Sequence, residues 1–298
     1  MLQNFFGPYL VPSIITFGIS IIVLLIGSIT DLRTREVPDW VNYGLLSLGI
    51  GLNLLFSVIY QTPSFIINSI IGLAIFFGVA YIMFYAGQWG GGDSKMIMGL
   101  GAMIGINVAS FFSEFLFGFL INILFAGALY GLLWSFYLAY KNRNKFRAEL
   151  KKVLSQKKIE KIKWGILALT IFLIVLFFLI NINFIKILIL SLAFVILTAF
   201  YLWAFVRAIE KSSMYKLVEP SKLTEGDWIV NDVYVNKEYI TGPKDLGIEK
   251  KQIRKLIEFY KKRKIGKILI KEGIPFVPSF LIAFTITFLF GNPMIWVI

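Results

Sequence analysis

LVPSIITFGISIIVLLIGSIT runs from Leu10 to Thr30 without a charged residue, and DLRTREVPD, Asp31 to Asp39, follows it directly. A hydrocarbon core about 30 Å thick needs about 20 apolar residues in a helix. The first stretch therefore predicts a membrane-spanning helix, and the second the polar turn at its end. Working outward, seven more runs have this character: Trp40 to Tyr60, Ser64 to Ala86, Ser94 to Phe112, Phe115 to Tyr140, Trp164 to Asn181, Phe184 to Val206 and Ile274 to Phe290. The fourth of the eight begins beside Lys95 and is interrupted by Gly99, Gly101 and Gly105. Glycines at that spacing let helices approach closely, so this run is expected inside the bundle.

The composition agrees. The 298 residues are 58% apolar and 16% charged, with a mean hydropathy of +0.78, more apolar surface than a soluble domain of this size can bury. The fold class expected is an all-α polytopic membrane protein of about eight spans, six at the least, with a small α+β module before the final span. No basic segment precedes the first run and no small-residue cleavage site follows it, so it is expected to be a retained helix and not a signal peptide.

The absence of cysteine excludes thiol nucleophiles and disulfides, and the absence of histidine removes the commonest general base and metal ligand. No metal and no cofactor is expected. The net charge of +13 could point to nucleic acid, but its placement points to membrane topology. Arg33, Arg35, Lys95, ten cations in 141–163 and sixteen in 207–271 all fall on one side of the bilayer, and Lys186 alone on the other. By the positive-inside rule that side is cytoplasmic and the N-terminus lies outside. The partner implied is the lipid bilayer, with no nucleic acid.

This gives a membrane core over 1–140, a basic cytoplasmic loop over 141–163, two further spans over 164–206, a cytoplasmic module over 207–273 and a final span over 274–298. Within the module, Asp227 to Ile240 alternates around Asn236-Lys237 and predicts a hairpin. Ile253, Leu256, Ile257 and Tyr260 recur at helical spacing in a basic amphipathic helix over 248–264. Its cationic face suits anionic headgroups.

Outside the module and the basic loop, the acids are Asp31, Glu36, Asp39, Asp93 and Glu114. The topology puts the first four on the cytoplasmic side and Glu114 outside. Asp31 ends the first span, and Asp93 opens the fourth in Gly90-Gly91-Gly92-Asp93-Ser94-Lys95. The two spans between them go out and come back, so both acids reach the same boundary. Two carboxylates sharing a site hold a proton between them, so one can act as base toward water while the other donates to a carbonyl. In a chain without His or Cys this is among the few catalytic chemistries open. Each acid also has a plainer reading, as an interfacial marker or a helix cap.

At these residues the sequence resembles the type IV prepilin peptidase family, which includes the archaeal preflagellin (prearchaellin) peptidases. Asp31, Arg33, Val37, Pro38 and Asp39 are similar to its Asp-x-Arg-x-x-x-(Ile/Val)-Pro-(Asn/Asp) motif, and Gly90, Gly92 and Asp93, with Lys95 two positions on, to its Gly-x-Gly-Asp motif. Ile274-Pro275-Phe276-Val277-Pro278 resembles a proline-containing motif near the family's C-terminal helix, and 217–272 an archaeal C-terminal domain. The resemblance implies an aspartic endopeptidase that removes short basic leaders from pilin or archaellin precursors at the cytoplasmic face. Asp31 and Asp93 would be the catalytic pair, Arg33 and Lys95 supporting cations, and Pro38 would fix the turn into the second helix. Bacterial relatives carry a four-cysteine insert and also methylate their product. With no cysteines here, peptidase activity without methyltransferase activity is expected.

Glu36 and Asp39 are the only other acids in the short cytosolic turns beside the pair; Glu36 is a candidate for reading the leader's positive charge, and Asp39 a candidate cap. Two other readings compete. A presenilin-like protease would place its partner aspartate in a Tyr-Asp motif within a helix. A cation or proton transporter would place its acids near the midplane.

Overall fold

The computed structural model describes residues 9–113 and 115–293; Glu114 lies outside them. The chain divides into two units, one of residues 1–133 and 273–298, the other of residues 134–272.

The first unit contains α1 (Leu10–Thr34), α2 (Asp39–Ile59), α3 (Ser64–Tyr85), α4 (Gly91–Ile104), most of α5 (Phe115–Lys141) and α10 (Val277–Phe290). Its core is aromatic and aliphatic, with Phe76, Phe119, Phe280, Phe284, Leu24, Met96 and Ile97 fully buried. Outward-facing Ile22, Leu25, Ile29, Ile82 and Phe125 are exposed. Large apolar side chains on the outside of a packed core suit a lipid solvent.

The fourth span differs from expectation. Helix α4 stops at Ile104, Gly105 takes φ +75, and the chain continues as a 3-10 turn over Val108–Ser113. At 14 residues α4 is about 21 Å long, short of a hydrocarbon core. Its terminal carbonyls need partners that lipid cannot give. Asn53 Nδ2 donates to Ala102 O at 3.2 Å and Met103 O at 3.0 Å, and Ser69 Oγ to Ala102 O at 2.6 Å. These side chains from α2 and α3 let α4 end inside the bundle. The expectation that its glycines pack inside holds: Gly99, Gly101 and Gly105 are all buried. Helix α10 also starts later than the apolar run, at Val277, because Pro275 and Pro278 keep 274–276 out of the helix.

The second unit holds the end of α5, α6 (Arg143–Leu154), α7 (Lys157–Leu179), α8 (Asn183–Ile209) and the small module. The basic stretch 141–163 is not a loop. It forms α6 and the first turns of α7, because Phe146, Leu150 and Val153 give α6 an apolar stripe, with Val153 buried and Phe146 against Phe205 of α8.

In the module, β1 (Tyr215–Val218) and β2 (Trp228–Ile229) flank β5 (Ile268–Lys271), both antiparallel to it. A separate hairpin pairs β3 (Val233–Val235) with β4 (Glu238–Thr241). Its turn is the one expected, with Asn236 and Lys237 at φ 52 and 69, both left-handed as a two-residue hairpin turn requires. The strand before it is shorter than expected, since Trp228 and Ile229 pair with β5 instead. Helix α9 (Lys250–Lys261) buries Ile253 and Leu256 in a second core with Ile229, Ile240 and Ile268.

Among the described residues, six helices are long and apolar enough to cross a membrane: α1, α2, α3, α5, α7 and α8. Helix α10 is a shorter apolar member of the first unit, and α4, also 14 residues long, carries Asp93 and Lys95 in its first turns. The chain is a multi-pass, mostly helical membrane protein with a small strand-containing module before α10.

Candidate active site

Helix α1 turns Leu24, Gly27, Ser28 and Asp31 inward, a stripe at helical spacing that ends on a carboxyl group. Asp31 is 5% exposed. Its Oδ2 accepts a hydrogen bond from Val277 N–H at 3.0 Å, and the Phe276 backbone also acts on it. Val277 is the first residue of α10, so the carboxylate sits where a helix presents unpaired donors. The Arg35 charge acts on the same group, and Arg35 Nη1 donates to Gly273 O at 3.1 Å. Half-buried Tyr130 of α5 lies within electrostatic reach.

Asp93 is placed by the turn that leaves α3. Gly87 takes φ 66, which lets the amides of Gly87 and Gln88 return to Phe84 O and Met83 O. Trp89 is then buried, its ring 6.4 Å from Phe276 and 5.2 Å from Phe280. Gly90 caps α4, and its N–H donates to Asp93 Oδ2 at 2.9 Å, the reciprocal half of a capping box.

The two motifs pack directly on each other. A Cβ on Gly92 would lie 3.5 Å from Val37 N, and one on Gly27 would overlap Met96 Cε at 2.7 Å. Glycine at these points brings α4 against α1 and the turn that follows it. Asp31 and Asp93 are close enough for their charges to act on each other, and Asp93 is half-buried. Beside Trp89 an apolar cavity of about 220 Å³ opens between α3 and α5, lined by Val79, Met83, Leu120, Ile123 and Leu124.

Among the supporting residues expected from sequence, Gly90 and Gly92 lie at the pair as described, and Pro38 begins α2 in its N-cap position. Arg33 is exposed, and Arg35 is the cation that acts on Asp31. Lys95 Nζ lies 2.6 Å from Asp39 Oδ1 and 5.1 Å over the Tyr43 ring, so it ties α4 to α2. Asp39 is the first residue of α2 and makes this ion pair in place of a cap. Glu36 is exposed on the turn between α1 and α2. Sequence reading missed Arg35, Tyr130, Trp89 and the backbone of Val277. Arg35 stood one turn beyond Asp31, a spacing that signals proximity on a helix; Val277 is 246 residues away and had no such signal.

Residues 18–135 match the Type IV leader peptidase family. The chain is 42% identical over 90 residues to the preflagellin peptidase of Methanocaldococcus jannaschii, covering 30% of this chain and 38% of that protein. It is 33% identical over 138 residues to the preflagellin peptidase of Methanococcus voltae, covering 43% and 58%. Against that of Methanococcus maripaludis the identity is 39% over 90 residues, covering 30% and 39%. The matched stretches thus span less than two thirds of each relative's length. No solved structure matches the chain. Residues 18–135, which carry both aspartate motifs and the packing between them, are thus the part of the chain that is similar to the type IV leader peptidase family and to archaeal preflagellin peptidases.

Proposed function

We propose that the chain is a membrane aspartic endopeptidase that removes short basic leaders from archaellin or pilin-like precursors at the cytoplasmic face. Asp31 and Asp93 form its catalytic pair. The observation that carries the reading is their meeting: acids 62 residues apart in sequence come within reach of each other's charge, with Val37 of one motif against Gly92 of the other. The similarity to preflagellin peptidases over this region supports the same chemistry.

In the reaction, the ionised member of the pair takes a proton from water, and the hydroxide attacks the scissile carbonyl carbon while the protonated member gives its proton to the carbonyl oxygen. The C–N bond then breaks, and the amine leaves with a proton returned by the pair. Activity is lost at high pH, where both acids ionise and no donor remains, and at low pH, where both protonate and no base remains. Full activity is expected in excess EDTA; restoration of chelator-inhibited activity by zinc would reject a two-carboxylate mechanism. The direct test is cleavage of a leader-bearing precursor by the chain reconstituted in liposomes, read as a gel shift. A product cut but not methylated is the expected outcome.

The basic stretches then lie in the cytosol, with the N-terminus outside. The precursor's apolar segment stays in the bilayer and its leader approaches from the cytosol. Exposed Glu36 reads the leader's positive charge, whereas Asp39 is engaged by Lys95. An exposed pair contributes about 0 to 1 kcal/mol, so Glu36→Gln should slow Lys- or Arg-bearing leaders by up to about fivefold and neutral ones less, with the gap narrowing in high salt. Equal losses for charged and neutral leaders, compared in one liposome preparation, would place leader recognition elsewhere.

A further inference from the structure

Arg35 follows the last turn of α1 at φ 63 and ψ 23, the left-handed conformation that helix ends usually give to glycine. A non-glycine residue held there points to a use for its side chain. That side chain reaches 238 residues along the sequence, where Nη1 donates to Gly273 O at 3.1 Å. Four residues on, Val277 N–H lies 3.0 Å from Asp31 Oδ2. Between them, the Phe276 ring lies 6.4 Å from that of Trp89, tilted by 41°, just ahead of the Gly-x-Gly-Asp motif. Gly127 of α5 closes the other side, where a Cβ would come within 2.7 Å of the Phe276 ring.

The segment 273–277 therefore meets both motifs: Asp31 through its backbone, and the approach to Asp93 through Phe276. We propose that Gly273 to Val277 is the third element of the active site and that Arg35 is its positioning residue, pinning Gly273 so that Val277 N–H holds one oxygen of Asp31. The bond to Oδ2 restrains rotation of the carboxylate and so favours one direction for its other oxygen. The charged and titratable groups around it are Arg35 just past the end of α1, Asp93 on α4 and Tyr130 on α5. The inference rests on the peptidase reading for its catalytic consequence, but the positional link stands apart from it.

Arg35→Gly separates the two roles, since it deletes the guanidinium while giving the left-handed position its favoured residue. In the full chain in nanodiscs, its melting temperature should match or exceed the wild type. Its kcat should fall about tenfold or more with KM changed less than about threefold, because misplacement costs the chemical step more than binding. Arg35→Lys, which keeps a donor and a charge, should recover part of the loss. Independently of activity, hydrogen exchange of the peptide spanning 273–280 should be faster in Arg35→Gly than in wild type. Unchanged exchange overturns the proposal, and faster exchange with unchanged kcat overturns the catalytic role. Failure of the wild-type chain to cut any leader-bearing precursor would reject the peptidase reading instead, and the exchange data would still decide the link.

Discussion

Cleavage of a leader-bearing precursor should fall by about a thousandfold or more in Asp31→Asn and equally in Asp93→Asn, with both variants reaching the membrane in wild-type amounts. Asparagine is nearly isosteric and keeps an oxygen to accept from Val277 N–H or Gly90 N–H, so the hydrogen bonds that place each side chain can persist. What it cannot do is exchange a proton. If the two acids act as one unit, removing both should cost little more than removing either, since coupled residues are strongly non-additive. Residual activity above about a tenth of wild type in either single variant, at matched protein and substrate in the same liposomes, would remove that residue from the pair.

The largest effect on stability is expected at Gly72. A Cβ there would run into the carbonyl oxygen of Gly101 and lie 3.0 Å from the Gly105 Cα. Those are backbone atoms of the helix that carries Asp93 and of the glycine that ends it, so no rotamer change relieves the contact. Overpacking usually costs about 1 to 3 kcal/mol, and Gly72→Val should fall at or above the top of that range, because α3 and α4 must separate. Gly78 on the same helix has open space around it, so Gly78→Val should cost about 1 kcal/mol or less. Thermal unfolding in detergent would compare them, and a Gly72 variant melting with its Gly78 counterpart would mean that α3 and α4 are less tightly packed than described.

Much of the membrane architecture was legible because bilayer thickness imposes a length on apolar runs, and Leu10 to Thr30 meets it without ambiguity. The turn at Asn236-Lys237 was legible for a local reason, since consecutive left-handed residues select few side chains. The failures have physical causes too. Hydropathy predicts a full span at α4 because it cannot see that Asn53 and Ser69 supply partners for its carbonyls halfway. The charge of the basic stretch 141–163 outweighs the apolar stripe of Phe146, Leu150 and Val153, so the sequence suggests a loop where α6 forms. At the site, the two aspartates could be singled out as rare acids at one boundary. Arg35 could not be told from Arg33 by charge alone, because backbone handedness at the helix end decides which of them turns inward. Lys95 and Asp39 were each seen, but their pairing depends on the parallel packing of α2 and α4, which no local pattern encodes.

The bond from Val277 to Asp31 closes a loop of 246 residues. During synthesis, α1 to α4 are made early, and both aspartates can enter the bilayer with neighbours they will keep. The amide that holds Asp31 exists only after the second unit has also been made, since residues 134–272 are inserted ahead of it. Contacts of such long sequence separation form late, after the chain-closure entropy has been met. A ribosome-bound intermediate would thus carry both acids without their third partner, so competence to cut should arrive with the emergence of α10 and not with either acid.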